Sequence, residues 1–152
     1  SRAGGDLQGI AHGFADDVSD ATTYVFGTGG TVAAVERELG IEPTLLGVDL
    51  WRNGRVVVRD GSEDEILDAL GDRNVVVVSP LGGQGFVVGR GNQQISPGVL
   101  RRSQLEVVAT RDKLRELDAL RIDTGDPALD EDLRGWTRVR VGRDEWRLER
   151  VV

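Results

Sequence analysis

Four clusters of glycine, hydroxyl, amide and carboxylate residues hold the chemistry this chain could do. The first is Gly27-Thr28-Gly29-Gly30-Thr31. Glycines there let backbone amides turn toward an anion at the N-terminus of a following helix, and the Thr28 and Thr31 hydroxyls add donors. Phosphate or carboxylate binding is the use this suggests. A tight strand-to-helix turn with Thr31 as cap accounts for the same residues, since the pattern is neither a Walker loop nor the GxGxxG dinucleotide fingerprint.

The second cluster runs through Gly82-Gly83-Gln84-Gly85-Phe86 to Gly89-Arg90-Gly91-Asn92-Gln93-Gln94. So many glycines weaken any strand they occupy, so something must approach that backbone closely. Arg90 offers a planar cation for carboxylate or phosphate. Asn92, Gln93 and Gln94 offer amides for a base, ribose or sugar. A bulged hairpin with its polar residues in solvent is the alternative.

The third and fourth clusters are Gly47-Val48-Asp49 and Asp123-Thr124-Gly125-Asp126. Asp49 and Asp123 each follow an apolar stretch, where partial burial could tune a carboxylate to orient a hydroxyl or act as a base. Thr124 and Asp126 join the ligand-binding set, although Asp126, directly before Pro127, also reads as the N-cap of the final helix. Trp51, Trp136 and Trp146 are expected to pack on or beside strands, Trp51 with the further option of flooring a ligand pocket. With no cysteine and His12 as the single histidine, no metal site is expected.

These clusters need a scaffold, and the apolar spacing supplies one. Asp6 to Val18 has the one-sided stripe of an amphipathic helix. Thr22 to Phe26 reads as a strand and Val32 to Leu39 as a helix stopped by Gly40. Thr44 to Leu50 reads as a buried strand, followed by an Asn53-Gly54 hairpin into Val56 to Val58. Ser62 and Glu65 form a capping box for a helix ending near Gly71. Val75 to Val78 is a β-branched run of the kind buried on both faces. Short helices follow Ser96-Pro97, Thr110 and Asp126, and strands are expected at Leu105 to Ala109, Leu120 to Ile122, Trp136 to Val141 and Glu145 to Val151. This alternation predicts a single three-layer α/β domain over residues 1–152, a mostly parallel sheet with helices on both faces and a C-terminal β-hairpin. Beyond the strand ends of such a sheet is where ligands collect.

Composition bounds the partners. There are 26 acidic and 19 basic residues, a net charge of −7, and Lys113 is the only lysine. That field repels a nucleic-acid backbone. No apolar run approaches the roughly 20 residues that cross a bilayer. The expectation is a cytoplasmic protein, and the acid excess suits a cytoplasm at high salt, hence a halophilic source. Ser1-Arg2-Ala3-Gly4-Gly5 has neither an apolar signal core nor an initiating Met, so the natural chain is expected to begin upstream.

The succession TLLGVDLWRNG, SPLGGQGFVVGRGNQQIS, VVATRDKL and LRIDTGDPALDEDLRGW resembles the C-terminal part of prokaryotic ATP-NAD kinase family proteins, from about Gly4 to Val141. The resemblance implies phosphorylation of the adenosine ribose of NAD, with ATP as donor and Mg as divalent cation. Gly27 to Thr31 and Arg90 would then hold phosphates, and Asp49, Asn92 and Asp123 would contact ribose or base. The family's Gly-Gly-Asp-Gly-Thr signature lies upstream. Gly4-Gly5-Asp6-Leu7-Gln8 does not complete it, so an upstream kinase domain is implied as partner and the chain alone is not expected to turn over. More weakly, YVFGTGGTVAAVERELG with LLGVD is similar to ribose-5-phosphate isomerase-like proteins, which implies a sugar phosphate beside Asp49 or Asp123 as proton carrier. A non-catalytic ligand sensor is the third reading. The composition admits a homo-oligomer.

Overall fold

Period-two alternation along the strands decides the layers. Val25, Val76, Val78, Val107 and Val139 point into one buried cluster, while Tyr24, Phe26, Val77 and Val108 point into another. A sheet buried on both sides needs helices on both sides. The structure, a computed structural model, describes residues 2–89 and 92–152, the first four of these by backbone only.

The aromatic side is covered by α1 (Arg2–Asp17) and α2 (Gly30–Glu38). Ile10 and Phe14 of α1 and Val32 and Val35 of α2 are buried there, and Phe14 meets Tyr24 edge-on at 5.5 Å between ring centroids. The opposite side receives Ile66 of α3 (Glu63–Ala69), Val99 and Leu100 of α4 (Pro97–Arg101), Leu114 of α5 (Arg111–Arg115) and Leu129 of α6 (Pro127–Leu133).

The strands are β1 (Thr23–Phe26), β2 (Asp49–Arg52), β3 (Arg55–Val58), β4 (Asn74–Val78), β5 (Phe86–Val88), β6 (Gln104–Val108), β7 (Arg121–Ile122), β8 (Gly135–Arg140) and β9 (Trp146–Val151). Seven form one sheet in the order β3-β2-β1-β4-β6-β8-β9. The pairings β1·β4, β4·β6 and β6·β8 are parallel, and β2, being antiparallel to both neighbours, leaves five of the seven strands running one way. The β8·β9 pair is the expected C-terminal hairpin. Ser62, Thr110 and Asp126 cap their helices as the sequence predicts. Among the described residues, no helix is long and apolar enough to cross a membrane.

Three expectations change. Thr44 to Leu50 is not a strand: Leu45 and Leu46 are 86% and 79% exposed, and β2 starts only at Asp49. Gly47 explains part of this, because it packs against Asp60, where a Cβ would lie 2.1 Å from the carboxylate. Trp136 does not pack into the core; it is 69% exposed. The close approach to the second glycine cluster is made by the chain itself. β5 pairs with β7 in a separate two-stranded sheet, and a Cβ at Gly89, whose φ is 102°, would lie 1.6 Å from the Asp123 carbonyl oxygen.

The last strand ties the two sheets together. Leu120 N–H donates to the Arg150 carbonyl at 2.8 Å, Val152 N–H to Leu120 at 2.9 Å and Ile122 N–H to Val152 at 3.3 Å.

Candidate functional site

From β1 the chain passes through α2 to β2 on one flank; from β4 it passes through β5 and α4 to β6 on the other. The carboxyl ends of β1 and β4 therefore flank a topological switch point, the place where open α/β sheets leave a crevice. Gly27 to Thr31 lies in it. A cleft of about 520 Å³ opens there, lined among others by Gly27, Thr28, Gly30, Glu36, Thr44 and Leu81. A second hollow shares Gly29, Gly30 and Leu81 and reaches Thr110 and Lys113, so the two meet at the start of α2.

That start has no side-chain cap. Gly29 is the N-cap with φ 119° and ψ 156°, a conformation essentially confined to glycine, and among the described residues no side chain caps the first amides of the helix. Thr31 begins inside the helix and does not cap it. Unpaired amides and the positive end of the helix dipole thus face the crevice. Gly30 differs from Gly29, since its φ is not positive and a Cβ there would meet nothing within 4 Å. Neither backbone nor packing requires glycine at position 30.

Asn92 completes this corner from the other glycine cluster. It is 2% exposed, and its Oδ1 accepts from both the Thr28 amide and the Thr28 hydroxyl at 3.1 Å. Among the described residues its Nδ2 is buried without a partner, and it lies 3.5 Å from where a Cβ of Gly27 would stand. An unpaired buried amide is costly.

Asp49 reaches the same edge by an unexpected route. It begins β2 rather than ending a strand, but β2 runs antiparallel to β1 and pairs Asp49 with Phe26, the last residue of β1. Its Oδ1 accepts from the Thr44 hydroxyl at 2.8 Å and the Asp60 amide at 2.9 Å, and its Oδ2 from the Thr44 amide at 3.2 Å. Burial raises its pKa, but hydrogen bonds from Glu36, Asp60 and Thr44 outweigh that and hold it below the usual carboxylate range. Glu36 is a buried carboxyl at this edge that the sequence reading did not single out. It is 3% exposed, and burial, then the hydrogen bond and charge of Asp49, push it up to about 9. The signal was legible: Val32, Val35, Glu36 and Leu39 share one helical stripe, and only Glu36 is not apolar.

The other candidates are dispersed. Asp123 is exposed at the end of β7, and Gln93 is exposed. Thr124 donates to Asp130 Oδ1 at 2.6 Å, and Asp126 caps α6 and pairs with Arg101 at 2.6 Å. Gly82 and Gly83 are exposed with open space about them, Gln84 is exposed, and Gly85 abuts Ala119. Arg90 and Gly91 lie outside the described residues. Trp51 belongs to the buried aromatic cluster and does not line the cleft. His12 pairs with Glu38 at 2.6 Å on the helical surface. Among the described residues, no group of three or more His, Asp or Glu side chains could hold a metal ion.

Residues 19–151 match the ATP-NAD kinase C-terminal domain. The chain belongs to that family. No curated protein and no solved structure matches it. The ATP-NAD kinase C-terminal domain thus begins after α1 and extends through the closing hairpin, which the resemblance read from the sequence alone stopped short of. Ahead of the matched ATP-NAD kinase C-terminal domain, Gly4, Gly5 and Asp6 are part of α1 rather than a loop before it, and Asp6 pairs with Arg111 at 2.7 Å.

Proposed function

We propose that this chain is the nucleotide-binding half of an ATP-NAD kinase family protein, holding a phosphate of NAD, NADP or ATP at the start of α2. The partner completing the enzyme is an upstream kinase domain. The observation that carries the reading is the pairing, among the described residues, of the uncapped α2 N-terminus with the partnerless buried amide of Asn92. Backbone amides and a helix dipole open to the cleft, and a buried side-chain NH₂ lies behind Gly27 and Thr28, an arrangement that suits an anion. Arg37, Pro43, Leu45, Leu46 and Leu81 line the cleft beside it, a mixed wall that suits the rest of a nucleotide. Asp49 serves as a structural anchor in this reading, since Thr44, Asp60 and Glu36 already occupy its oxygens. For the same reason the cleft's residues do not fit the family's divalent cation.

Asn92→Asp tests the anion site. It keeps the acceptor for Thr28 but replaces the free NH₂ with negative charge. The expected result is a loss of about 1 kcal/mol in ATP or NADP binding, roughly fivefold, by calorimetry. Unchanged affinity in the folded variant would remove the phosphate from this corner.

Phosphoryl transfer needs donor and acceptor held together, because positioning and charge stabilisation supply nearly all its acceleration. This chain offers one phosphate corner. It is expected to bind nucleotide and to form no NADP from NAD with ATP and Mg²⁺, whereas a longer protein carrying the Gly-Gly-Asp-Gly-Thr region does. NADP formed by the 152-residue chain at a comparable rate would put the catalytic apparatus in this half.

A further inference from the structure

The Pro43–Leu46 segment lines the cleft although it belongs to no strand or helix. It lies between α2 and β2 and presents two leucines to solvent. Exposed apolar side chains gain nothing from staying there, so their place depends on how the backbone is tied. At the centre of the segment that tie is Thr44, which gives Asp49 both its amide and its hydroxyl.

Those bonds demand acceptors on Asp49. Three donors on its two oxygens favour an ionised Asp49, and the buried carboxyl beside it is then held neutral, because two adjacent carboxylates out of water repel strongly. Among the described residues, Glu36 Oε2 meets no N–H or O–H donor. The arrangement closes only if Glu36 carries a proton and donates it in a hydrogen bond to Asp49.

We propose that Glu36 is a positioning residue of this cleft: its carboxyl group shares one proton with Asp49 and so fixes the Asp49–Thr44 contacts that hold Pro43–Leu46 as the cleft's outer wall. The proposal rests on the reading of the cleft as a ligand site. The charged groups facing Glu36 are Asp49 from β2, Arg59 just past β3 and Arg37 from its own helix. The two arginines favour ionisation and are outweighed by burial and Asp49. Loss of the proton, with a midpoint near 9, puts two negative charges together and loosens Thr44.

The test reads the wall and the ligand separately. In methyl-labelled protein the Thr44 methyl resonance is followed from about pH 8 to about pH 10, and ATP and NADP affinities are measured over the same range, where their phosphates stay fully ionised. In the wild type the resonance is expected to titrate near 9 and both affinities to fall at least about threefold, the scale of ordering one or two side chains. Glu36→Gln, whose amide donates to Asp49 at every pH, should hold the resonance still and keep both affinities flat. A stationary wild-type resonance overturns the proposal, as does a Glu36→Gln profile that falls like the wild type. Titration with indifferent affinity overturns the positioning role. Titration in a protein that binds neither nucleotide supports the Glu36–Asp49–Thr44 link and overturns the nucleotide reading of the cleft.

Discussion

Replacing Arg140 with alanine is expected to remove about 3–5 kcal/mol of folding stability, a large share of the roughly 5–15 kcal/mol a domain has. Arg140 is among the largest fully buried side chains, 2% exposed, near the end of β8. Its Nη2 donates to Asp17 of α1 at 2.6 Å, its Nη1 to the Arg143 carbonyl at 2.9 Å, and its Nε lies 3.7 Å from Glu106 of β6. The guanidinium also stacks 4.2 Å from the Trp146 ring centroid. One cation thus joins a helix, two strands and the hairpin turn. Its removal leaves a cavity, a carbonyl without its donor and a largely buried Glu106 with Arg138 as the countercharge that remains, while Asp17, 59% exposed, turns to water.

The pH dependence separates charge from packing. Burial already raises the Glu106 pKa while Arg140 lowers it, so removing Arg140 raises it further. The folded variant then binds more protons than the unfolded chain above the ordinary glutamate range, and its stability falls as pH rises. Urea midpoints should therefore differ more at pH 8 than at pH 5. A variant within about 1 kcal/mol of the wild type at both values would mean the buried guanidinium is offset by its desolvation.

Gly30→Val should weaken nucleotide binding at least about tenfold while leaving the fold in place. A Cβ at Gly30 meets no atom within 4 Å, and its backbone is not in the left-handed region, so valine fits without strain. Its branched side chain would stand where the anion must approach the first amides of α2. Gly29→Val is a poor substitute, because φ 119° and the nearby Ser79 hydroxyl would disturb the loop itself. Calorimetry with ATP and NADP, beside a melting curve, gives the answer. Equal affinity with an equal melting temperature would return Gly27 to Thr31 to the role of a plain turn.

Much of the fold could be read from the chain because its local signals agree with its packing. Ser62 and Glu65 make both bonds of a capping box, and Asn53 and Gly54 both take positive φ at the hairpin. The buried run at Val75 to Val78 is the centre of the parallel sheet. The Thr44 to Leu50 stretch misled because an apolar pair looks alike in a buried strand and in the wall of a cleft. The glycines at 85 and 89 announced a close approach but not by what, since the approaching Ala119 and Asp123 are distant in sequence. The site was half legible. Gly27 to Thr31, Asn92 and Asp49 do converge, whereas Thr124 and Asp126 bond their own helix, a local use that spacing alone could not weigh against ligand binding. Glu36 required noticing one carboxylate on an apolar stripe.

The lacing of the final strand to Leu120 and Ile122 also has a consequence during synthesis. β5 leads to Gly89, which abuts Asp123 just past β7, and the chain entering β7 is steadied by backbone bonds to residues 150 and 152. A ribosome that has not passed these residues, or still shelters them in its exit tunnel, cannot hold a finished domain. The nascent chain waits with Leu120, Ile122 and Val139 short of their last neighbour, the condition in which chaperones engage exposed apolar surface. Loss of β9 would therefore strip support from β7 and, through it, from β5, far earlier in the sequence.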